Sequence, residues 1–144
     1  MLTNKDYCDY DTCVALREVG CRIKTEWYIH QPSYERGSCY LCFGIPRETS
    51  VLDECDYIPR LSLYEAQKWL REEKRICVEV DSCAGGYVWE LCKAYNKDWF
   101  SGGTTIYTEE DPNNPLLNDC GKYESYEDAL LEAIKAAVKI LKEE

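Results

Sequence analysis

Hydrophobic and polar positions follow two different periods along this chain, and the clearest change of period falls inside "LSLYEAQKWLREEKRICVEV", residues 61 to 80. Ala66, Trp69 and Leu70, with Leu63 a turn earlier, recur at the spacing of a helix with one apolar face. Ser62 and Glu65 precede that face as a capping box, in which the serine oxygen takes an amide of the first turn and the glutamate reaches back to the serine amide. The period then drops to two. Ile76, Val78 and Val80 alternate with Cys77 and Glu79, which predicts a strand buried on one side. "DSCAGG" supplies turn residues and "YVWELCKAY" a return strand, so the pattern predicts a hairpin.

The same reading extends to both ends. "DTCVALREVG" predicts a short first helix, capped by Asp11 or Thr12 and stopped at Gly20. "TEWYIHQPSYERGSCYLCFG" places β-favouring residues on either side of Pro32 and Gly37 and predicts two strands joined by an irregular hairpin. "NKDWFSGGTTIYT" reads as a loop entering a strand at about Thr104 to Thr108, and the acidic, turn-rich "EEDPNNPLLNDCG" as a surface excursion. After Ser125, Leu130, Ile134, Ala137, Val138 and Leu141 form the stripe of a last helix, with Lys135, Lys139 and Lys142 in its final turns, where cations suit the dipole. No repeat, low-complexity tract or linker divides the chain. The expectation is a single α+β domain over residues 1–144: an antiparallel sheet of three to five strands, two main helices and one short N-terminal helix.

Composition narrows the function classes. At 144 residues a folded chain buries roughly two-thirds of the surface its unfolded form exposes, enough for a core without staples. With 27 acidic against 17 basic residues the formal charge is -10, so direct nucleic-acid or anionic-membrane binding is not expected and basic protein partners are favoured. The N-terminal "MLTNKDYCDYDTC" has neither a basic region nor an apolar run, which argues against a secretory signal. No stretch approaches the roughly 18 apolar residues of a membrane span. The expected location is the cytoplasm.

That location colours the ten cysteines. In a reducing compartment they are expected as thiols, with a disulfide framework as the alternative in an oxidising one, and Cys77 in "RICVEV" and Cys92 in "WELCKAY" fall where small apolar core residues would fit. Only Cys39 and Cys42, in "CYLC", have metal-ligand spacing. A structural zinc site needs a second pair, and Cys55 and His30 do not make one, so no metal or other cofactor is expected.

"LSLYEAQKWLREEKRICVEV" followed much later by "YESYEDALLEAIKAAVKIL" resembles a family of small proteins encoded by phages and mobile elements of gut Bacteroidales and related bacteria. In that family a Trp-Leu-Arg-Glu helix runs into a hydrophobic strand and a tyrosine-led helix closes the chain. "DTCVALREVGC" is similar to its first helix, while the cysteines and "EEDPNNPLLNDC" depart from its pattern. The family brings no established activity with it. The resemblance implies a phage-type accessory protein working in a host bacterium's cytoplasm. Such proteins bind and neutralise a host component, either a defence protein or a nucleotide immune signal.

Three groups of residues carry candidate binding chemistry. Lys68, Arg71 and Arg75, at i, i+3 and i+7, can clamp phosphate, because arginine's planar fork matches an oxyanion. The plainer reading is a solvated face on which Glu72 pairs with Lys68 and Arg75. Trp27, Tyr28, His30, Tyr34, Arg36, Tyr40 and Phe43 interleave rings with arginine, as in a stacking surface, against the alternative of ordinary cross-strand packing. Trp99, beside the glycines of "WFSGGTT", sits where a backbone can approach a ligand, though the loop lacks a P-loop ending; Asp53, Glu54 and Asp56 form an acidic cluster without motif spacing. No catalytic signature is present. The expected function is non-enzymatic binding: of a host protein or a small nucleotide-like ligand as counter-defence, of a nucleic-acid-handling protein as an acidic inhibitor, or of a second copy as an oligomerisation module.

Overall fold

The computed structural model describes residues 2–30, 40–44, 57–83, 85–93, 104–108 and 123–143, with the backbone alone at 83, 93 and 104–108. Among the described residues three α-helices and six strands follow one another: α1 (Tyr10–Glu18), β1 (Trp27–His30), β2 (Tyr40–Phe43), β3 (Tyr57–Pro59), α2 (Leu63–Glu73), β4 (Ile76–Cys83), β5 (Gly86–Lys93), β6 (Thr104–Thr108) and α3 (Tyr126–Glu143). The α+β class and the antiparallel pairing are as the sequence predicts. The strands, however, divide between two three-stranded sheets, ordered β2-β1-β3 and β4-β5-β6. Strand β3 had no sequence signal: three residues ending in Pro59 are too few to show a period.

Each helix begins and ends for a local reason. Ser62 Oγ accepts the Glu65 amide at 3.0 Å while Glu65 Oε1 accepts the Ser62 amide at 3.1 Å, so the capping box starts α2 as expected. Helix α1 starts earlier than the sequence suggested. Its cap is Asp9, whose Oδ1 accepts the Thr12 amide at 2.8 Å, rather than Asp11 or Thr12, which lie within the first turn. Gly20, at φ +103, ends α1 in a Schellman turn, with Cys21 N–H on Leu16 C=O and Gly20 N–H on Arg17 C=O. Ser125 Oγ takes the Asp128 amide at 3.1 Å and opens α3.

The core joins all three helices. Leu130, Ala133, Ile134, Ala137 and Val138 of α3 are buried with Leu63, Ala66, Trp69 and Leu70 of α2 and with Cys13 and Leu16 of α1. Across the β4–β5 hairpin the register pairs Val78 with Leu91 and Val80 with Trp89, and Val78, Leu91 and Trp89 line the buried face with Ile76. Alternation sends the residues between them outward. This corrects the expectation for Cys77 and Cys92: they are half-buried partners on the outer face, whereas Cys8, Cys13 and Cys21 occupy the core. The neighbouring Cys13 thiol, and then burial, push the Cys8 thiol well above its ordinary range, as expected for an inert packing group.

Long-range polar contacts fasten α1 to α3 and to the first sheet. Lys135 bridges to Asp9 at 3.1 Å and Lys142 to Glu18 at 2.7 Å. Arg17 Nη1 donates to the Tyr57 carbonyl at 3.4 Å, and the Cys8 amide to Leu61 at 2.9 Å. Among the described residues no helix is long and apolar enough to cross a membrane.

Burial of the Asp9 carboxyl opposes its ionisation, but its contacts with Thr12 and Lys135 outweigh that and hold it below the usual carboxylate range. The unfolded chain therefore takes up the proton at higher pH than the folded one. The resulting stabilisation is complete above about pH 4 and is lost as pH falls through the folded value. Asp9→Asn keeps a capping oxygen, so its stability measured by urea unfolding should fall less steeply with acid than that of the wild type. Ser62→Ala should cost about 1 kcal/mol at neutral pH, and Ile134→Ala about 2–5 kcal/mol, in the same measurement.

Candidate docking surface

The first sheet is built on β1, which pairs with β2 on one side and β3 on the other. Register places Trp27 opposite Phe43, and Ile29 opposite both Leu41 and Ile58. Directly opposed residues share a face, so the row Ile58–Ile29–Leu41 crosses the sheet on one side. Ile58 and Ile29 are buried at 5% and 8% exposure, but Leu41 is 53% exposed. The core-facing side of the sheet thus runs out past the body at β2. Phe43 at 71% and Trp27 at 43% continue this overhang, their rings meeting edge to face with centroids 5.4 Å apart. Tyr40, on the opposite face, is 50% exposed.

That opposite face pairs His30 with Tyr40 and Tyr57, and Tyr28 with Cys42 and Pro59. The His30 ring stacks parallel on Tyr57 at 4.2 Å. Tyr28 and His30 are half-buried, so of the expected stacking surface Trp27, Tyr40 and Phe43 are the exposed members. Tyr34, Arg36 and Trp99 lie outside the described residues, as do Cys39, Cys55 and the Asp53, Glu54, Asp56 cluster. Among the described residues no group of three or more His, Cys, Asp or Glu side chains is arranged to hold a metal ion; Cys42 is half-buried and faces Tyr28.

The basic stripe does not survive as one face. Lys68 and Arg71 are exposed on α2, but the helix ends at Glu73, and Arg75 stands beyond its cap with φ +59. The i+7 spacing holds only while the helix continues, and the left-handed turn carries Arg75 off it. Among the described residues no ion pair joins Lys68 to Glu72, contrary to expectation. Lys68 instead borders a shallow groove with Ile23, Glu65 and Trp69. Trp69 is buried as the core anchor expected of it, with the Lys74 ammonium 5.6 Å above its ring.

Arg75 borders a larger cleft, about 960 Å³, where the C-terminal ends of all three helices converge. Val19, Ile76, Ile140 and Leu141 form its apolar lining, with Lys74, Arg75 and Lys142 among its charges beside Glu18 and Glu73. Converging carbonyl ends create negative potential, which favours the cations already there rather than an added anion. Lys142 is moreover bridged to Glu18. The cleft is therefore a poorer anion trap than its size suggests, and the exposed strand β2 is the stronger candidate. Its signal was in the sequence as "YLCF", an apolar run too even to show which half would be buried.

If Leu41 and Phe43 serve recognition and not the fold, replacing both with threonine should leave the unfolding free energy within about 0.5 kcal/mol per site, as for exposed positions generally. Chemical unfolding of the double variant checks this. Comparison with known proteins finds no matching family model, no similar curated protein and no similar solved structure.

Proposed function

We propose that this chain is a non-enzymatic binding protein that docks through strand β2 and its neighbour Trp27 onto a basic protein partner. The observation that carries the reading is the exposed apolar edge: Leu41 and Phe43, with Trp27 of β1 beside them, continue a core-facing sheet surface into solvent on a strand that pairs, among the described residues, with β1 alone. Exposed apolar edge strands invite pairing, and soluble chains usually blunt them with charge or proline. Here the edge carries tyrosine, leucine, cysteine and phenylalanine. A contiguous exposed apolar patch of this kind marks an interaction surface. A bound strand would add main-chain hydrogen bonds along β2 and seat its side chains against Leu41 and Phe43.

Charge argues for the partner's chemistry. A formal charge of -10 makes two copies repel and speeds encounter with a cationic surface. In the setting that the sequence resemblance implies, the partner is a nucleic-acid-handling host protein, and occupying it is a counter-defence act in the bacterial cytoplasm. Tyr40 and Trp27 suit such a surface, since large rings give contact area with few rotors to freeze.

A photocrosslinking residue at Tyr40, in host lysate, tests the proposal. The expected adduct is with a basic protein; it is competed by unlabelled wild-type chain, weakened by salt and abolished by Leu41→Lys with Phe43→Lys. An adduct with a second copy of this chain, or one indifferent to the lysines, overturns it. Enclosure of a nucleotide-like ligand in the helix-end cleft instead predicts heat on calorimetric titration with cyclic and linear nucleotides, abolished by Arg75→Ala; the docking reading expects no heat.

A further inference from the structure

The outer face of the second sheet carries chemistry that docking does not use. Cys77 and Cys92 are directly opposed on β4 and β5, half-buried on the face turned away from the core residues Val78 and Leu91. Glu79 and Glu90 form the next pair along the same face. We propose that Cys77 and Cys92 are a modification site: a cross-strand dithiol that closes to a disulfide by exchange with a low-molecular-weight disulfide and reopens with thiol.

Geometry permits closure without rearranging the sheet. Opposed residues in an antiparallel pair have Cα atoms about 4.5 or 5.5 Å apart, and disulfides accept Cα separations of about 4.4–6.8 Å. Their Cβ atoms, about 4.5–5.5 Å apart in such pairs, exceed the roughly 3.8 Å that a relaxed disulfide prefers. The closed bond is therefore strained, and strained disulfides are the readily reduced, regulatory ones. Among the described cysteines access selects the same pair. Cys8, Cys13 and Cys21 are 4%, 1% and 4% exposed, beyond reach of a bulky disulfide reagent. Cys42 faces Tyr28 across its strand pair rather than a thiol. The backbone of Cys83 lies six residues along β4 from Cys77, roughly 20 Å away at strand rise.

The steps balance with glutathione disulfide as oxidant. Cys92 Sγ donates to Glu90 Oε1 at 3.1 Å, so its proton has an acceptor as the sulfur attacks. Attack breaks the reagent's S–S bond, leaves glutathione joined to Cys92 and releases one glutathione. Cys77, its proton passing to solvent, attacks the Cys92 sulfur and expels the second glutathione. The two electrons lost by the protein thiols are those gained by the reagent. The new bond closes a loop through the β4–β5 turn, where Gly85 sits at φ +94, and staples the hairpin against which α2 and α3 pack.

The test uses the full reduced chain, treated with glutathione disulfide under native conditions, then alkylated and cleaved after glutamate. Cuts at Glu79 and Glu90 put Cys77, Cys83 and Cys92 in separate peptides. The expected early product is a Cys77–Cys92 linked pair, with Cys8, Cys13 and Cys21 still reduced. The melting temperature should rise by about 5 °C or more, given a loop of this size, and dithiothreitol should reverse both changes. Cys77→Val and Cys92→Ser should each abolish the link and the rise. Pairing of either residue with another cysteine, persistence of a glutathione adduct on Cys92, or both thiols left reduced overturns the proposal, and the wild-type mapping decides this even if a variant folds poorly.

Discussion

Burial of one face of α3 against α1, α2 and the β4–β5 hairpin organises the core. Ala129, Leu130, Ala133, Ile134 and Ala137 are wholly removed from solvent, and the alanines let the neighbouring backbones come close. Helix α2 supplies Leu63, Ala66 and Leu70 to the same core, and the β4–β5 hairpin supplies Val78 and Leu91. Fully buried leucines and isoleucines each contribute about 1.5–3 kcal/mol relative to exposure. The exposed ion pairs from Lys135 and Lys142 to α1 are worth at most about 1 kcal/mol each. They orient α1, while Leu16 and Cys13 hold it.

From that centre the first sheet is peripheral. Ile29 and Ile58 reach the core, and Cys8 and Ser62 join the chain segments that lead into it. Strand β2 contributes no buried residue. A strand that contributes no buried residue is under little packing constraint on its apolar side chains, which leaves Leu41 and Phe43 available to the proposed docking. The proposed docking surface thus lies where losing or gaining a contact disturbs stability least, the usual arrangement for surfaces that must bind and release.

The second sheet shows the same division across its thickness. One parity of β4 and β5 supplies Ile76, Val78, Leu91 and Trp89 to the core; the other presents Cys77, Cys92, Glu79 and Glu90. Opposed glutamates repel, a cost that packing against the helices outweighs. Chemistry on this face can change, by oxidation or by binding, without rearranging the interior behind it. A staple there would stiffen the hairpin that α2 and α3 share.

The elements with a period, namely α2 with its capping box, the β4–β5 hairpin, the β1–β2 pair and the stripe of α3, are all legible in the residues alone, because local spacing and cap chemistry dictate them. Asp9 cannot be told from the sequence as the α1 cap because Asp11 and Thr12 offer the same chemistry two and three residues on, and only the folded hydrogen bonds choose. The candidate site was legible in composition, as a ring-rich "WYIH" and "YLCF", but not in orientation. Packing between distant segments pairs β3 with β1 and carries the core under Ile29 while leaving β2 overhanging. It also took Arg75 off the basic stripe by ending α2 two residues earlier, and set Cys77 across from Cys92. Each of these depends on which segment lies beside which, and residues far apart in the chain carry no periodic mark of the neighbour they will meet.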